Sequence, residues 1–286
     1  MITMGQKFQR VFIILLLIMI LLTGLIAAAS AAETITAKDW TNNLDLSYTV
    51  DEIHNTGSDL TIPENTINKV YKIETTNSAA NSDKTKIIVG NNSDVVLVFN
   101  GVNLTTDIVS DLAGRSPIQL GNNSSVTIVL IDGTKNIISC NGNSITIGVP
   151  QAGIYVRLNS NLTIRGQEDN SGELEVNAGR YGAGIGGGVN GHYGNIVIEG
   201  GIVKASTRVH NNTAGTENGA GIGSGGGNTQ GTSEPNAGGY SSSITICGHA
   251  NVTATSQGNG AGIGGGSSNS NITQVSISGT GGIIHI

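Results

Sequence analysis

Proline, cysteine and aromatic side chains are all scarce in this 286-residue chain, which has four Pro, two Cys and 3% aromatic residues. Glycine without a three-residue period, and so little proline, exclude a collagen-like triple helix. The two cysteines, Cys140 and Cys247, are too few for a disulfide framework, and no Cys/His cluster has zinc-site spacing. Each reads as a small core or turn residue, with a Cys140–Cys247 bridge as the weaker alternative. Charged residues make up only 12%, about half the ordinary share. No basic stretch would neutralise phosphates, which excludes nucleic acid as a partner. From Asn218 to Ile286 the only formally charged side chain is Glu234, so solubility there rests on Asn, Ser, Thr and backbone groups.

Glycine and small β-branched residues fill the space left by these absences. Glycine numbers 43, and Ile and Val recur throughout, which excludes wholesale disorder. Residues 1–31 read as an export signal peptide. Lys7 and Arg10 precede the apolar run Val11 to Leu22, and Ala29-Ser30-Ala31 offers a small-residue cleavage site. The competing reading is an uncleaved anchor, because Val11 to Ala29 approaches the ~20 residues of a spanning helix. Thr23, Gly24 and the alanines weaken its far end and favour cleavage. The mature chain would then be secreted or at the cell surface, with no membrane contact.

Self-similarity organises the rest. Gly182-Ala-Gly-Ile-Gly-Gly-Gly188 returns as Gly219-Ala-Gly-Ile-Gly-Ser-Gly225 and Gly260-Ala-Gly-Ile-Gly-Gly-Gly266. Strand pairs broken by glycine lie between the copies, such as Ile196-Val-Ile198, Gly200-Gly201, then Ile202-Val203. The same grammar runs upstream without the heptad: Val95 to Phe99 into Asn100-Gly101, and Val126 to Ile131 into Asp132-Gly133. Short apolar runs ending at Gly or Asn-Gly are strand and turn chemistry. Units that cannot bury their own apolar face complete one another by stacking. The pattern predicts an all-β, right-handed parallel β-helix solenoid, with a sandwich or propeller as the weaker architecture. Ile185, Ile222 and Ile263 are the expected inward plugs of the three heptads, and stacked Asn and Ser are expected to form ladders. Residues 32–84, which carry Trp40, Tyr48 and Tyr71, read as an N-terminal cap and first strands, and residues 85–286 as the repeats.

The heptads formally contain the G-x-G-x-x-G dinucleotide fingerprint. Three near-copies without helices make them structural. They also lack the Asp of calcium-binding nonapeptide repeats. Carbohydrate-binding candidates are Tyr155, Arg157, Arg180, Tyr181, Tyr193 and Tyr240. A tyrosine offers a sugar an apolar face and a hydroxyl, and arginine pairs with carboxylates. Metal candidates are Asp107 with Asp111, and Glu168, Asp169 and Glu173, since carboxylates suit a hard cation such as calcium; no other cofactor is expected. Glu173 and Glu175 are two apart on a strand, and their plainest reading is a solvent-facing alternation rather than a catalytic pair.

The stretches Asn100-Gly-Val-Asn-Leu104, Leu130 to Asn136, Ala152-Gly-Ile-Tyr-Val156, Asn161 to Gly166 and the heptads resemble bacterial secreted and cell-surface β-helix proteins of the carbohydrate-binding-domain-containing type. That resemblance spans about residues 85 to 286. It implies a right-handed parallel β-helix similar to pectate lyases, some members binding plant cell-wall polysaccharide with calcium. The Gly-His-Gly turns of the lytic enzymes are absent, as Gly248-His249-Ala250 and Gly191-His192-Tyr193 depart from them. The expectation is therefore a non-catalytic protein whose partner is a polysaccharide or cell-wall glycan. The alternative is an adhesin-like structural stalk, with a lyase or hydrolase third.

Overall fold

Strands of two to eight residues cannot form a sheet alone, and in this chain they find partners one coil away. The structure, a computed structural model, describes residues 32–75, 85–106, 116–141, 150–189, 191–208, 218–227, 242–266, 275–277 and 283–285. All regular structure in them is strand, and Thr34–Ile286 form one compact unit. No helix among the described residues is long and apolar enough to cross a membrane; residues 1–31, the expected export signal, lie outside them.

The chain opens with an antiparallel hairpin, β1 (Thr34–Asp39) and β2 (Leu44–Thr49). The solenoid follows with β3 (Glu52–Asn55), β4 (Leu60–Ile62), β5 (Ile67–Glu74) and β6 (Ile87–Val89). Each later coil takes three strands: β7 (Asp94–Asn100), β8 (Asn103–Thr106) and β9 (Ile118–Gln119); β10 (Ser125–Leu130), β11 (Lys135–Cys140) and β12 (Ile154–Tyr155). Next come β13 (Asn161–Arg165), β14 (Glu173–Asn177) and β15 (Ile185–Gly186), then β16 (Asn195–Ile198), β17 (Ile202–Ser206) and β18 (Ile222–Gly223). The last are β19 (Ile244–Ile246), β20 (Asn251–Thr255) and β21 (Ile263–Gly264), followed by β22 (Val275–Ile277) and β23 (Ile283–His285). Equivalent strands stack into sheets of eight (β3 to β22), six (β8 to β23) and seven (β4 to β21), and the pairing within all three is parallel. This is the parallel β-helix expected from the repeats, and neither a sandwich nor a propeller.

The register explains the core. In the eight-stranded sheet Leu97, Ile128, Ile164, Ile198 and Ile246 form one inward column, all buried. In the seven-stranded sheet the column is Leu60, Ile87, Ile118, Ile154, Ile185, Ile222 and Ile263. The three heptad isoleucines are thus equivalent, with Ile185 and Ile222 fully buried and Ile263 partly so. Each buried branched side chain contributes roughly 1.5–3 kcal/mol relative to exposure. Ala152-Gly153-Ile154 lies one coil before Ala183-Gly184-Ile185 in the same register, a fourth, degenerate copy of the heptad.

Glycine is needed where backbones close in. A Cβ on Gly184 would lie 2.9 Å from the Ser206 amide nitrogen, and one on Gly223, whose φ is +136°, only 2.0 Å from the Gly264 carbonyl oxygen. Elsewhere the corner residue is asparagine: Asn65, Asn92, Asn123 and Asn159 all have positive φ where the seven-stranded sheet passes into the eight-stranded one. The expected polar ladder is present as well. Asn161 Nδ2 donates to Ser125 Oγ at 3.2 Å, Asn195 Nδ2 to Asn161 Oδ1 at 2.9 Å, and Ser243 Oγ to Asn195 Oδ1 at 3.0 Å.

The N-terminal segment departs from the expected cap. The first coil ends the core with its own polar residues: Glu52 and His54 stand in register with Tyr71 and Ile73, which blunts the open edge. The β1–β2 hairpin instead runs as a strap across the outer face of the eight-stranded sheet. Its Ile35 and Ala37 pack with Val70, Val98 and Val129. Farther along, the Lys38 amide donates to the Gly166 carbonyl at 3.0 Å, and Trp40 stacks on His249 with ring centroids 4.0 Å apart. Neither cysteine is in a disulfide: Cys140 is buried in the sheet and Cys247 half-buried beneath the strap's turn, 3.6 Å from Thr41 Oγ1.

Candidate functional site

Successive side chains of a strand point to opposite faces, so the residue after each inward isoleucine of the seven-stranded sheet points outward. These residues form the row Thr61, Ile88, Gln119, Tyr155, Gly186, Gly223 and Gly264. The row carries side chains up to Tyr155 and glycine from there on. Tyr155 is therefore the last side chain of this row, and the glycines beyond it are buried.

Arg157, two residues on, turns back over the Tyr155 ring, its guanidinium carbon 5.7 Å from the centroid. On its other side lies a cleft of about 200 Å³ lined by Glu64, Ile88, Asn91, Gln119 and Arg157 among others. The corner hydrogen bonds fix its polar groups. Asn91 Nδ2 donates to Glu64 Oε1 at 2.7 Å, Asn91 Oδ1 accepts from the Asn122 amide at 2.8 Å, and Gln119 Nε2 donates to the Ser116 carbonyl at 3.1 Å. Arg157 makes no ion pair with another described residue. The site thus combines a guanidinium placed over an aromatic ring, a carboxylate and two side-chain amides at one rim of the solenoid.

Of the sequence candidates, only Tyr155 and Arg157 come together here. Arg180 and Tyr181 make a separate pair before β15, the guanidinium carbon 4.6 Å from the ring centroid. Tyr181 is buried, and its backbone holds φ at +62°. Tyr193 is not at an exposed corner: it is 1% exposed, inside the core, and its ring cannot meet a sugar. Tyr240 lies outside the described residues. Glu64, Asn91 and Gln119 were not expected, because only the coil-to-coil register brings residues 27 to 93 positions apart to one rim.

The Tyr193 hydroxyl is buried without a hydrogen-bond partner among the described residues, and burial pushes its phenol pKa up. An unsatisfied buried hydroxyl costs roughly 1–3 kcal/mol. Tyr193→Phe is therefore expected to raise the melting temperature by about 2–4 °C. A fall of that size in a thermal melt would mean that the hydroxyl has a partner.

The carboxylates read as metal ligands do not assemble. Asp107 and Asp111 lie outside the described residues, and among those described no group of three or more His, Cys, Asp or Glu could hold a metal ion. Glu168 pairs with Lys38 at 3.5 Å, and the Asp169 amide donates to Asp132 Oδ2 at 2.9 Å, joining the turns of neighbouring coils. Glu173 meets Lys135 at 3.3 Å and Lys204 at 3.1 Å, and Glu175 meets Lys135 at 3.0 Å. Burial works to raise the Glu173 carboxyl, but the two lysines outweigh it and hold it below the usual range. Lys135 does the same to Glu175 against a smaller burial effect.

The fold and the rim define a parallel β-helix solenoid with a small, partly polar cleft at the rim of its seven-stranded face, lined by Arg157 but not by Tyr155. No protein-family model, curated protein or solved structure matches the chain.

Proposed function

We propose that the mature chain is an exported, non-catalytic β-helix that binds polysaccharide, at the cell surface or beyond it, through the cleft beside Tyr155 and Arg157. The observation that carries this reading is Arg157 set over the Tyr155 ring, its guanidinium carbon 5.7 Å from the centroid, with no ion-pair partner among the described residues and lining one cleft with Glu64, Asn91 and Gln119. Fixed amide, carboxylate and guanidinium groups suit the hydroxyls of a sugar ring, and the rigid solenoid pre-organises them. The charge network around Glu173 and Glu175 weighs against glycoside hydrolysis at this pair, because a glycosidase acid needs a raised pKa and these carboxyls are lowered.

The test is a pull-down of residues 32–286 on insoluble cellulose, pectin, chitin and peptidoglycan, with calcium and with chelator. Selective retention is expected, reduced about tenfold in a Tyr155→Ala/Arg157→Ala variant, which corresponds to ~1.4 kcal/mol. Loss of retention with chelator would make calcium part of the site and direct attention to Glu168 and Asp169. A second reading, an adhesin-like structural stalk, draws on the burial of Tyr181 and Tyr193, which leaves Tyr155 without an exposed row of aromatic neighbours. A folded chain retained on none of the polymers would favour the stalk.

A further inference from the structure

We propose that Lys72 and Asn100 become joined by an intramolecular amide bond that stitches β5 to β7, with Glu74 moving the protons. The two strands run side by side in parallel, with Lys72 opposite Val98 and Glu74 opposite Asn100. Glu74 Oε1 accepts from Lys72 Nζ at 2.8 Å and from Asn100 Nδ2 at 2.8 Å. A single carboxylate oxygen therefore touches both the nitrogen that must lose a proton and the nitrogen that must leave with one. The shared acceptor also keeps amine and carboxamide within the length of two hydrogen bonds, in a site where the Lys72 side chain is 12% exposed and that of Glu74 25%. Such positioning converts an otherwise bimolecular aminolysis into an intramolecular one.

The chemistry balances without an oxidant or cofactor. Lys72 passes a proton to Glu74, and the neutral Nζ attacks Asn100 Cγ. The Cγ–Nδ2 bond then breaks as Glu74 protonates the leaving nitrogen, and the amine's second proton departs with it, so the nitrogen leaves as ammonium. The products are one secondary amide and one ammonium ion, with Glu74 again a carboxylate; the chain itself is lighter by one ammonia. Lys72, and then Asn100, hold the Glu74 carboxyl below its usual range, so the resting pair is ionised. The reactive neutral pair is a minor form, and the bond accumulates slowly in the folded protein. An exported protein whose two cysteines form no disulfide would gain from it a cross-link between neighbouring coils that no reductant can open.

Asn100 also precedes Gly101, and attack by the Gly101 nitrogen would form a succinimide with the same loss of ammonia. Mass alone cannot separate the two products, so the test reads connectivity. The mature chain is incubated at neutral pH and followed by intact mass, then digested with trypsin and sequenced by tandem mass spectrometry. The expected result is loss of one ammonia and a branched peptide joining Lys72 to Asn100, with no cleavage after Lys72. Lys72→Arg keeps the charge and should abolish both signals, and Glu74→Gln should suppress them while circular dichroism stays unchanged. Mass loss that persists in Lys72→Arg without a branched peptide would assign the succinimide and overturn the proposal. A folded wild-type chain that keeps its full mass throughout would overturn it equally.

Discussion

Ile222→Asp is expected to leave no cooperatively folded solenoid. Ile222 is fully buried and stacks between Ile185 and Ile263 in the seven-stranded sheet. The substitution removes roughly 1.5–3 kcal/mol of burial. It also places a carboxylate where no cation or donor waits, at a cost of several kcal/mol more unless the group stays protonated. Against a total stability of about 5–15 kcal/mol that is a large fraction, and in a stack each coil supports only its neighbours. The coils around β15, β18 and β21 should therefore lose their protection first. Thr253→Asp is the control, because Thr253 lies opposite Lys204 and is only half-buried. Thermal melts and hydrogen exchange check the pair. An Ile222→Asp protein melting with the wild type would remove the residue from the core.

The contrast between Ile222 and Thr253 is legible in the sequence, since both sit in alternating patterns punctuated by glycine. Repeats fix which residues are equivalent, and in a parallel stack equivalence is nearly the whole fold. The inward column through Ile185, Ile222 and Ile263 could be read directly. Its upstream members, Ile118 and Ile154, could not, because at those positions the heptad has decayed to Pro117-Ile118-Gln119 and Gly153-Ile154-Tyr155. The candidate site was only half legible. Tyr155 and Arg157 are neighbours in sequence, whereas Glu64 and Gln119 reach them through inter-coil register. Tyr193 misled for a physical reason: a tyrosine beside glycines looks like a corner residue, yet the corner turns it into the core. The strap misled most, because nothing in a short amphipathic hairpin says whether it covers the end of a stack or its flank.

Trp40→Ala should release that strap while the solenoid stays folded. The Trp40 ring lies on His249 with planes 16° apart, and a Cβ added to Gly248, whose φ is +60°, would fall 2.6 Å from Trp40 Cβ. The docking site is thus a hollow that glycine leaves open. Around it, Arg165 Nε stands 2.9 Å from Glu199 Oε2, an ion pair too bent to be a hydrogen bond, and Arg165 Nη1 donates to the Tyr48 hydroxyl at 3.4 Å. Burial raises the Glu199 carboxyl against the pull of Arg165. Removing the half-buried indole is expected to cost ~2 kcal/mol, below the 3–5 of a full core truncation, and so to raise the undocked population roughly 30-fold. Cys247 reports it. Its thiol pKa is raised mainly by burial beneath the strap, so undocking both exposes the sulfur and increases its thiolate fraction. Reaction with a disulfide reagent at neutral pH should accelerate by a similar factor while the solenoid's melting transition persists. Unchanged Cys247 reactivity in Trp40→Ala would mean that the apolar contacts of Ile35 and Ala37 alone hold the strap, with the indole merely resting on its surface.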